Sequence, residues 1–536
     1  MTTIRVLAAV GLVLGCSLTA RAEDLLPPDR PIGEVIDHYI DAKLRQAKVA
    51  PAPADAATIV RRLYLDLVGR IPAAPEARLH ADKPLDTAKL IAELVSSPAF
   101  ARHNANEFDV LLRNGNPAAP SVRPYLLEAF RENRRWDAMF RDLIGASDRR
   151  EKTRPEEFVL KRLKDPDALA RDVSSVFFGL NITCAQCHRH PDIKDLTQDY
   201  FFGMRAFFAA SYDFQGNLLE RRYVKLGDFK DKKGDTRKVS MLFLSGARAE
   251  TETLPEKELA EAIQAEAKLI QERAKDYAKT KELPPVPEFG GRKRLARVAL
   301  DEANRDLFAR SIVNRLWYRF YGHGLVMRVD QMHANNEASH PELLAWLARD
   351  LVEHDYDLRR LITGVVSSRA YARSSAWKGD APSRGLFAVA NVRPLTPAQW
   401  SLSHRVASDP EAYKFGGPED ARQQRLDALE SKVTTFSFIE PPREELRLGI
   451  DEPLRLSNDE AVLRLTGDKL VPALLKLKDA RTQIDEAVWA VLSRPATADE
   501  YDLFTEYLGR RKGKPEDALR QMVWALVNSP EFRFNH

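Results

Sequence analysis

Cysteine is scarce in this chain: 536 residues contain three, Cys16, Cys184 and Cys187. The first lies in an amino-terminal apolar segment, which leaves one pair, both within "NITCAQCHRHP" (181–191). In an oxidising compartment such a lone pair is inert only when oxidised, metallated or covalently modified. Charge of one sign is also lacking, since 82 Lys and Arg stand against 78 Asp and Glu, a net +4. Mixed signs describe a solvated surface and argue against a nucleic-acid partner. No stretch after residue 22 is long and apolar enough for a transmembrane helix. Gly-x-Ser-x-Gly, His-Glu-x-x-His and a phosphate-binding Gly loop are absent, so the common hydrolase and nucleotide signatures are missing. Whether the chain is an enzyme stays open on the sequence.

What is present begins with "MTTIRVLAAVGLVLGCSLTARA": an early Arg5, an apolar run, and Ala20-Arg21-Ala22 as a cleavage site. It reads as a secretory signal peptide over residues 1–22, which predicts an extracytoplasmic protein, periplasmic, secreted or cell-surface, with a mature start at Glu23. The alternative is lipoprotein processing at "VLGC", which makes Cys16 the lipidated first residue; only then is a membrane a partner. Cleavage removes Arg5 and Arg21 and lowers the net charge to +2.

Helical periodicity dominates the rest. In "DPDALARDVSSVFFGL" (165–180) Asp165 can cap, Pro166 can take the first helical position, and Leu169, Val173, Val176, Phe177 and Leu180 share a face. "TQDYFFGMRAFFAASY" (197–212) places Tyr200, Met204, Phe207 and Phe208 at helical spacing. The cysteines therefore lie in a loop between two helices, whose apolar faces either enclose a flat ligand or pack on each other. Composition shifts after Phe214, where Tyr223–Leu226 and Val239–Leu244 read as a strand pair. "PEKELAEAIQAEAKLIQERAKDYAKTKE" (255–282) reads as an exposed helix, with "LPPVPEFGG" behind it as a linker. A repeat joins the two ends: "YLDLVGRIPAAPE" leading to "LVSSPAF", and "VWAVLSRPATADE" leading to "LVNSPEF", with a shorter echo in "DLRRLITGVVSSRAYARSS" that sets Ser367, Ser368 and Tyr371 in matching places. Each unit reads as a helical hairpin needing a neighbour. The expected fold is mainly α: two helical lobes built from helical hairpins with a small β-hairpin insertion.

The chemistry concentrates in Cys184-x-x-Cys187-His188. Haem c suits it, because two thiols attach to the vinyl groups while the adjacent imidazole coordinates the iron. Zinc or copper is a second reading, with Cys184, Cys187, His188 and His190 offering four ligands within seven residues. A structural disulfide between Cys184 and Cys187 is the third. Under the haem reading His190 is too near His188 to reach the opposite face, so the sixth ligand is either absent or comes from Met204, His323, His333 or His340. "DQMHANNEASH" (330–340) is dense in ligand-capable groups. It forms either a carboxylate–imidazole site or a polar loop feeding a helix, with Ser339 as N-cap and Glu342 closing a capping box.

These residues also carry a family likeness. Through "RRLYLDLVGRIPAAPE", "FFGLNITCAQCHRHP" and "TQDYFFGMRAFF", then "LFARSIVNRLWYRFYGHGLV", "SHPELLAWLARDLVEHDYDLRRLITGVVSSRAYARSS", "RPLTPAQ", "VLSRPATADEYDLF" and "WALVNSPEFRFNH", the chain resembles planctomycete-type secreted proteins that pair DUF1549 with DUF1553. These are described as cytochrome-c-like, which adds weight to haem. The resemblance implies a signal peptide (1–22), a DUF1549-like helical domain with the cysteine motif (23–214), a β-hairpin and charged-helix insertion (215–285) and a DUF1553-like helical domain (286–536). One departure is visible: family members follow the motif with His-Pro, an aromatic and an Asp, then a Trp before Thr-Gln, whereas "HPDIKDLTQ" has an extra residue and no aromatic. Two functions follow as expectations. One is an electron-transfer haem protein serving a redox partner or surface enzyme. The other is a non-redox scaffold or binding protein linked to surface polysaccharide processing.

Overall fold

The computed structural model describes residues 25–81, 84–116, 118–147, 152–250, 254–288, 290–409, 421 and 466–536. The expected signal peptide (1–22), with Cys16, and the expected mature start at Glu23 lie outside the described residues. The fold is mainly α with small two-stranded hairpins. No described helix is long and apolar enough to cross a membrane.

Local chemistry sets the helix ends. The helix Pro166–Phe178 starts where Asp165 accepts a hydrogen bond from the Ala168 N–H (2.8 Å) and Pro166 takes the first position; it stops at Gly179, whose φ of 63° suits a residue without Cβ. The repeat is real as geometry. Ser97 receives the Phe100 N–H (3.3 Å) and donates to the Leu94 carbonyl (2.7 Å); Ser529 does the same with Phe532 (3.2 Å) and Leu526 (2.7 Å). In the shorter echo Ser368 donates to Val365 (2.9 Å) and receives from Tyr371 (3.1 Å). Upstream, Arg70 grips Glu76 with two bonds (2.6 and 2.8 Å), and Arg494 grips Glu500 with two (2.8 and 2.8 Å). In each copy the same carboxylate also caps its helix, receiving the Ala73 or the Thr497 N–H.

Two expectations shift. The strands are Ser211–Phe214 with Asn217–Glu220 and Asp228–Lys230 with Thr236–Lys238, while Tyr223–Leu226 and Val239–Leu244 are not strands. Turn chemistry outweighed β-rich composition: Gln215 and Gly216 both take positive φ, and Asp213 accepts the Gly216 N–H (2.7 Å), closing a tight hairpin. The helix Pro341–Glu353 is capped by His340, not Ser339, and has no side-chain cap. Pro341 occupies the first helical position, which makes the preceding residue the cap. The charged segment forms the helix Glu256–Thr280, none of whose residues is buried.

Among the described residues two large apolar clusters, with a third of only Ala74, Ala77 and Trp489, hold the fold. The larger runs from Ile32 to Ala388 and joins side chains on both sides of the exposed helix, among them Trp136, Phe177, Phe178, Phe308, Trp317 and Trp346. The smaller gathers residues 395–407 and 470–532 with Leu65, Ile71 and Ala73. The helix Ala56–Val68 serves both, so every residue from Val60 to Val68 is buried, including Arg61, Arg62 and Asp66. Burying three ionisable groups on one helix requires partners. Asp66 (2% exposed) accepts from Tyr371 Oη (2.7 Å), from Arg393 twice (3.0 and 2.8 Å) and from Asn535 Nδ2 (2.9 Å). Arg62 donates to the carbonyls of Tyr371, Arg373 and His536, and Arg61 to those of Glu531 and Phe532. Arg393 and Asn535 also pair as strand partners.

Candidate functional site

The loop after Gly179 is pinned from three sides. Its first turn, Thr183–Gln186, is a single 3₁₀ turn stabilised where Asn181 Oδ1 accepts the Thr183 N–H (3.0 Å). The preceding helix holds Gln186 through Arg171 (3.0 Å) and Asp167 (2.9 Å), and Gln198 on the following helix donates to the Gln186 carbonyl (3.1 Å). The third side is the segment 330–336. Asn181 donates its N–H to the Asp330 carbonyl (2.8 Å) and its side chain to the Asp330 carboxylate (3.0 Å); Leu180 bridges Gln331 and the Met332 N–H reaches the Gly179 carbonyl (2.9 Å). Asn335 donates to the Asp192 carbonyl. Gly179 matters here twice, because a Cβ on it would stand 2.7 Å from Met332 Sδ. The polar cluster 330–340 is thus the surface on which the cysteine loop rests.

On this frame Cys184 and Cys187 are free thiols open to solvent. His188 is half-buried, its Nδ1 2.6 Å from the Arg189 carbonyl; when Nδ1 carries the proton for that bond, Nε2 keeps its lone pair. His190 points inward (3% exposed), its Nδ1 accepting the Asp192 N–H at 3.2 Å and its ring also bonded to the Asn181 backbone. Its ring meets that of His333 edge-on, centroids 6.0 Å apart. Burial lowers the pKa of both imidazoles, that of His333 further through His190, while Asp192 acts on both in the opposite sense. The four-ligand set Cys184, Cys187, His188 and His190 is turned two ways, thiols outward and His190 inward. Among the described residues no three His, Cys, Asp or Glu side chains already converge as a metal site.

The remaining candidates lie in different settings. Met204 is wholly enclosed in the large core. His340 (3% exposed) bonds Ser339 Oγ through Nδ1 (3.1 Å) and packs on Phe387, its Nε2 buried without a partner. Burial, then Lys43 and Arg373, push its pKa down to about 3. His323 meets Phe387 from another side. The helices flanking the loop pack on each other, with Phe177, Phe178, Phe201 and Phe207 fully buried. Sequence reasoning singled out His190 and His333 separately and did not pair them; Asp192 was overlooked, although a His-x-Asp directly after the cysteine motif was a visible signal.

Comparison with known proteins agrees on architecture. Residues 35–213 match the family model PSCyt2, a protein of unknown function (DUF1549), and residues 291–436 match PSD1, a protein of unknown function (DUF1553). No curated protein and no solved structure gives a match. The first matched segment carries Cys184, Cys187, His188 and His190, the second carries His333 and His340, and the chain is a protein of the paired DUF1549–DUF1553 architecture.

Proposed function

We propose that this is an extracytoplasmic haem c protein that passes electrons to or from a partner enzyme, with haem linked through Cys184 and Cys187 and His188 as axial ligand. The observation that carries the reading is the state of the motif: two free, exposed thiols on one 3₁₀ turn, followed by an imidazole whose Nδ1 is engaged and whose Nε2 is left for iron. The donor set fits the group. The flanking helices pack on each other, so Cys184, Cys187 and His188 at the turn between them would hold the group. Haem supplies one-electron transfer when bound. The chain's own part would be to offer Cys184 and Cys187 as the thioether sulfurs, each S–H adding across a vinyl C=C without an oxidant, while the Arg189 carbonyl holds the His188 ring steady. Of the further candidates, Met204 is enclosed in the core and His340 has a buried Nε2 without a partner.

The close packing of those helices favours the other reading, a scaffold or binding protein at the cell surface whose cysteines only staple a loop or hold zinc or copper. A pyridine haemochrome spectrum and intact mass of protein matured in a haem-c-competent host separate the two. Covalent haem that disappears in Cys184→Ser/Cys187→Ser supports electron transfer. A haem-free chain with Cys184 bonded to Cys187 leaves the scaffold.

A further inference from the structure

The contact between the cysteine loop and segment 330–336 contains two features that packing alone does not explain. His333 is 7% exposed, and its Nδ1 is buried with no hydrogen-bond partner. A buried polar atom left so costs about 1 to 3 kcal/mol and calls for a reason. Its neighbour is a second buried imidazole, His190, with centroids at 6.0 Å and ring planes at 63°. With metal–nitrogen bonds of about 2 Å, two imidazoles on one tetrahedral ion have centroids roughly 5 Å apart, so the pair stands about 1 Å from that geometry.

We propose that His190 and His333 are the paired imidazole ligands of a divalent transition-metal ion, with the Asp192 carboxylate as third protein ligand and a fourth position open to water. The brace expected of a metal-bound histidine is already there: the Asn181 backbone holds the His190 ring on one side, leaving Nδ1 with only the 3.2 Å contact from Asp192 N–H to give up. The Asp192 N–H already touches His190 Nδ1 at 3.2 Å and its side chain is exposed, so the carboxylate starts from beside the pair and is free to turn. The two halves of the site come from different family segments and are fixed to each other by the Asn181–Asp330, Gly179–Met332 and Asp192–Asn335 bonds. Two imidazoles and a carboxylate with an open position is a borderline donor set, suited to Zn²⁺-class ions over Mg²⁺ or Ca²⁺. The site is independent of haem, since it uses neither thiol nor His188.

The test is titration of Zn²⁺ into the full chain carrying Cys184→Ser and Cys187→Ser, by calorimetry, with Co²⁺ as a spectroscopic stand-in. The expected result is one equivalent bound, with visible Co²⁺ bands of a low-coordinate site. His333→Ala should weaken binding by more than the roughly tenfold to hundredfold that loss of an outer-shell partner costs. His333→Gln, which preserves volume and polarity, provides the same reading if the alanine variant fails to fold, and Asp192→Asn should weaken binding less. No binding to the thiol-free chain, or binding that His333→Gln leaves unchanged, overturns the site. Binding that requires the thiols assigns the metal to the Cys184, Cys187, His188 and His190 set instead.

Discussion

Two polar regions of this molecule have opposite economies. Around Asp66 the carboxylate is saturated: four hydrogen bonds from Tyr371, Arg393 and Asn535 occupy a group that water barely reaches. In the cysteine loop the backbone is tied as firmly, yet the reactive atoms are vacant: two thiols are free and the His333 Nδ1 has no partner. Saturation marks polar groups that hold the fold, because a buried charge without partners costs more than the fold can bear. In the loop, under the two proposals above, the open thiols and the His333 nitrogen would be the groups that take a ligand. Burial does not separate the two regions, since His190 and His333 are as buried as much of the interior.

The sharpest way to break the comparison is Asp66→Ala. It strands the Arg393 guanidinium and the Tyr371 and Asn535 donors together, and urea denaturation should show a loss near 5 kcal/mol, at the upper end for a broken buried pair. Acid attacks the same interior. Burial holds His404 at about 4, with Arg405 adding to it, and His340 at about 3. The unfolded chain takes up these protons near pH 6.5, so the stability both contribute is complete above that pH and drains away as pH falls through 6.5 toward 4 and 3. At pH 5 the loss is about 2 kcal/mol for each, about 4 together, read from denaturation midpoints at pH 8 and 5. His404→Gln should remove its own share, about 2 kcal/mol, of the loss between pH 8 and 5.

The repeat sharpens the same point with one motif at two depths. Arg70 and Glu76 are 7% and 9% exposed, Arg494 and Glu500 23% and 21%, and Arg494 has a second carboxylate in Glu531. Glu76→Gln should cost about 3 kcal/mol, and Glu500→Gln about 1 or less, by the same denaturation assay. The smallest effect belongs to the loop. Cys184→Ser with Cys187→Ser should shift stability within about 0.5 kcal/mol, as expected for exposed positions, while abolishing covalent haem under the proposed function. A large loss of stability in that variant would place the thiols with Asp66 among the structural groups.

Much of the fold was legible because its signals are local. Asp165 and Pro166 announced a helix start, Ala-, Glu- and Lys-rich composition announced the exposed helix, and the serine of "LVSSPAF" and "LVNSPEF" caps alike in both copies. What stayed hidden depends on partners far along the chain. Arg62 and Asp66 look like surface charges until Tyr371, Arg393 and Asn535 meet them. His190 and His333 lie 143 positions apart, and no periodicity pairs them. The strand pair was misplaced because Gln215 and Gly216 fix a turn that composition does not weigh.

The large core has a consequence for cleavage. Its side chains come from both sides of the helix Glu256–Thr280, which itself buries nothing. A protease that severs this helix cuts a tether and leaves that core uncut, so the two pieces should stay associated and melt together. Made separately, each piece would expose its half of one interior, and the two would behave as complementing fragments, soluble and folded only when mixed.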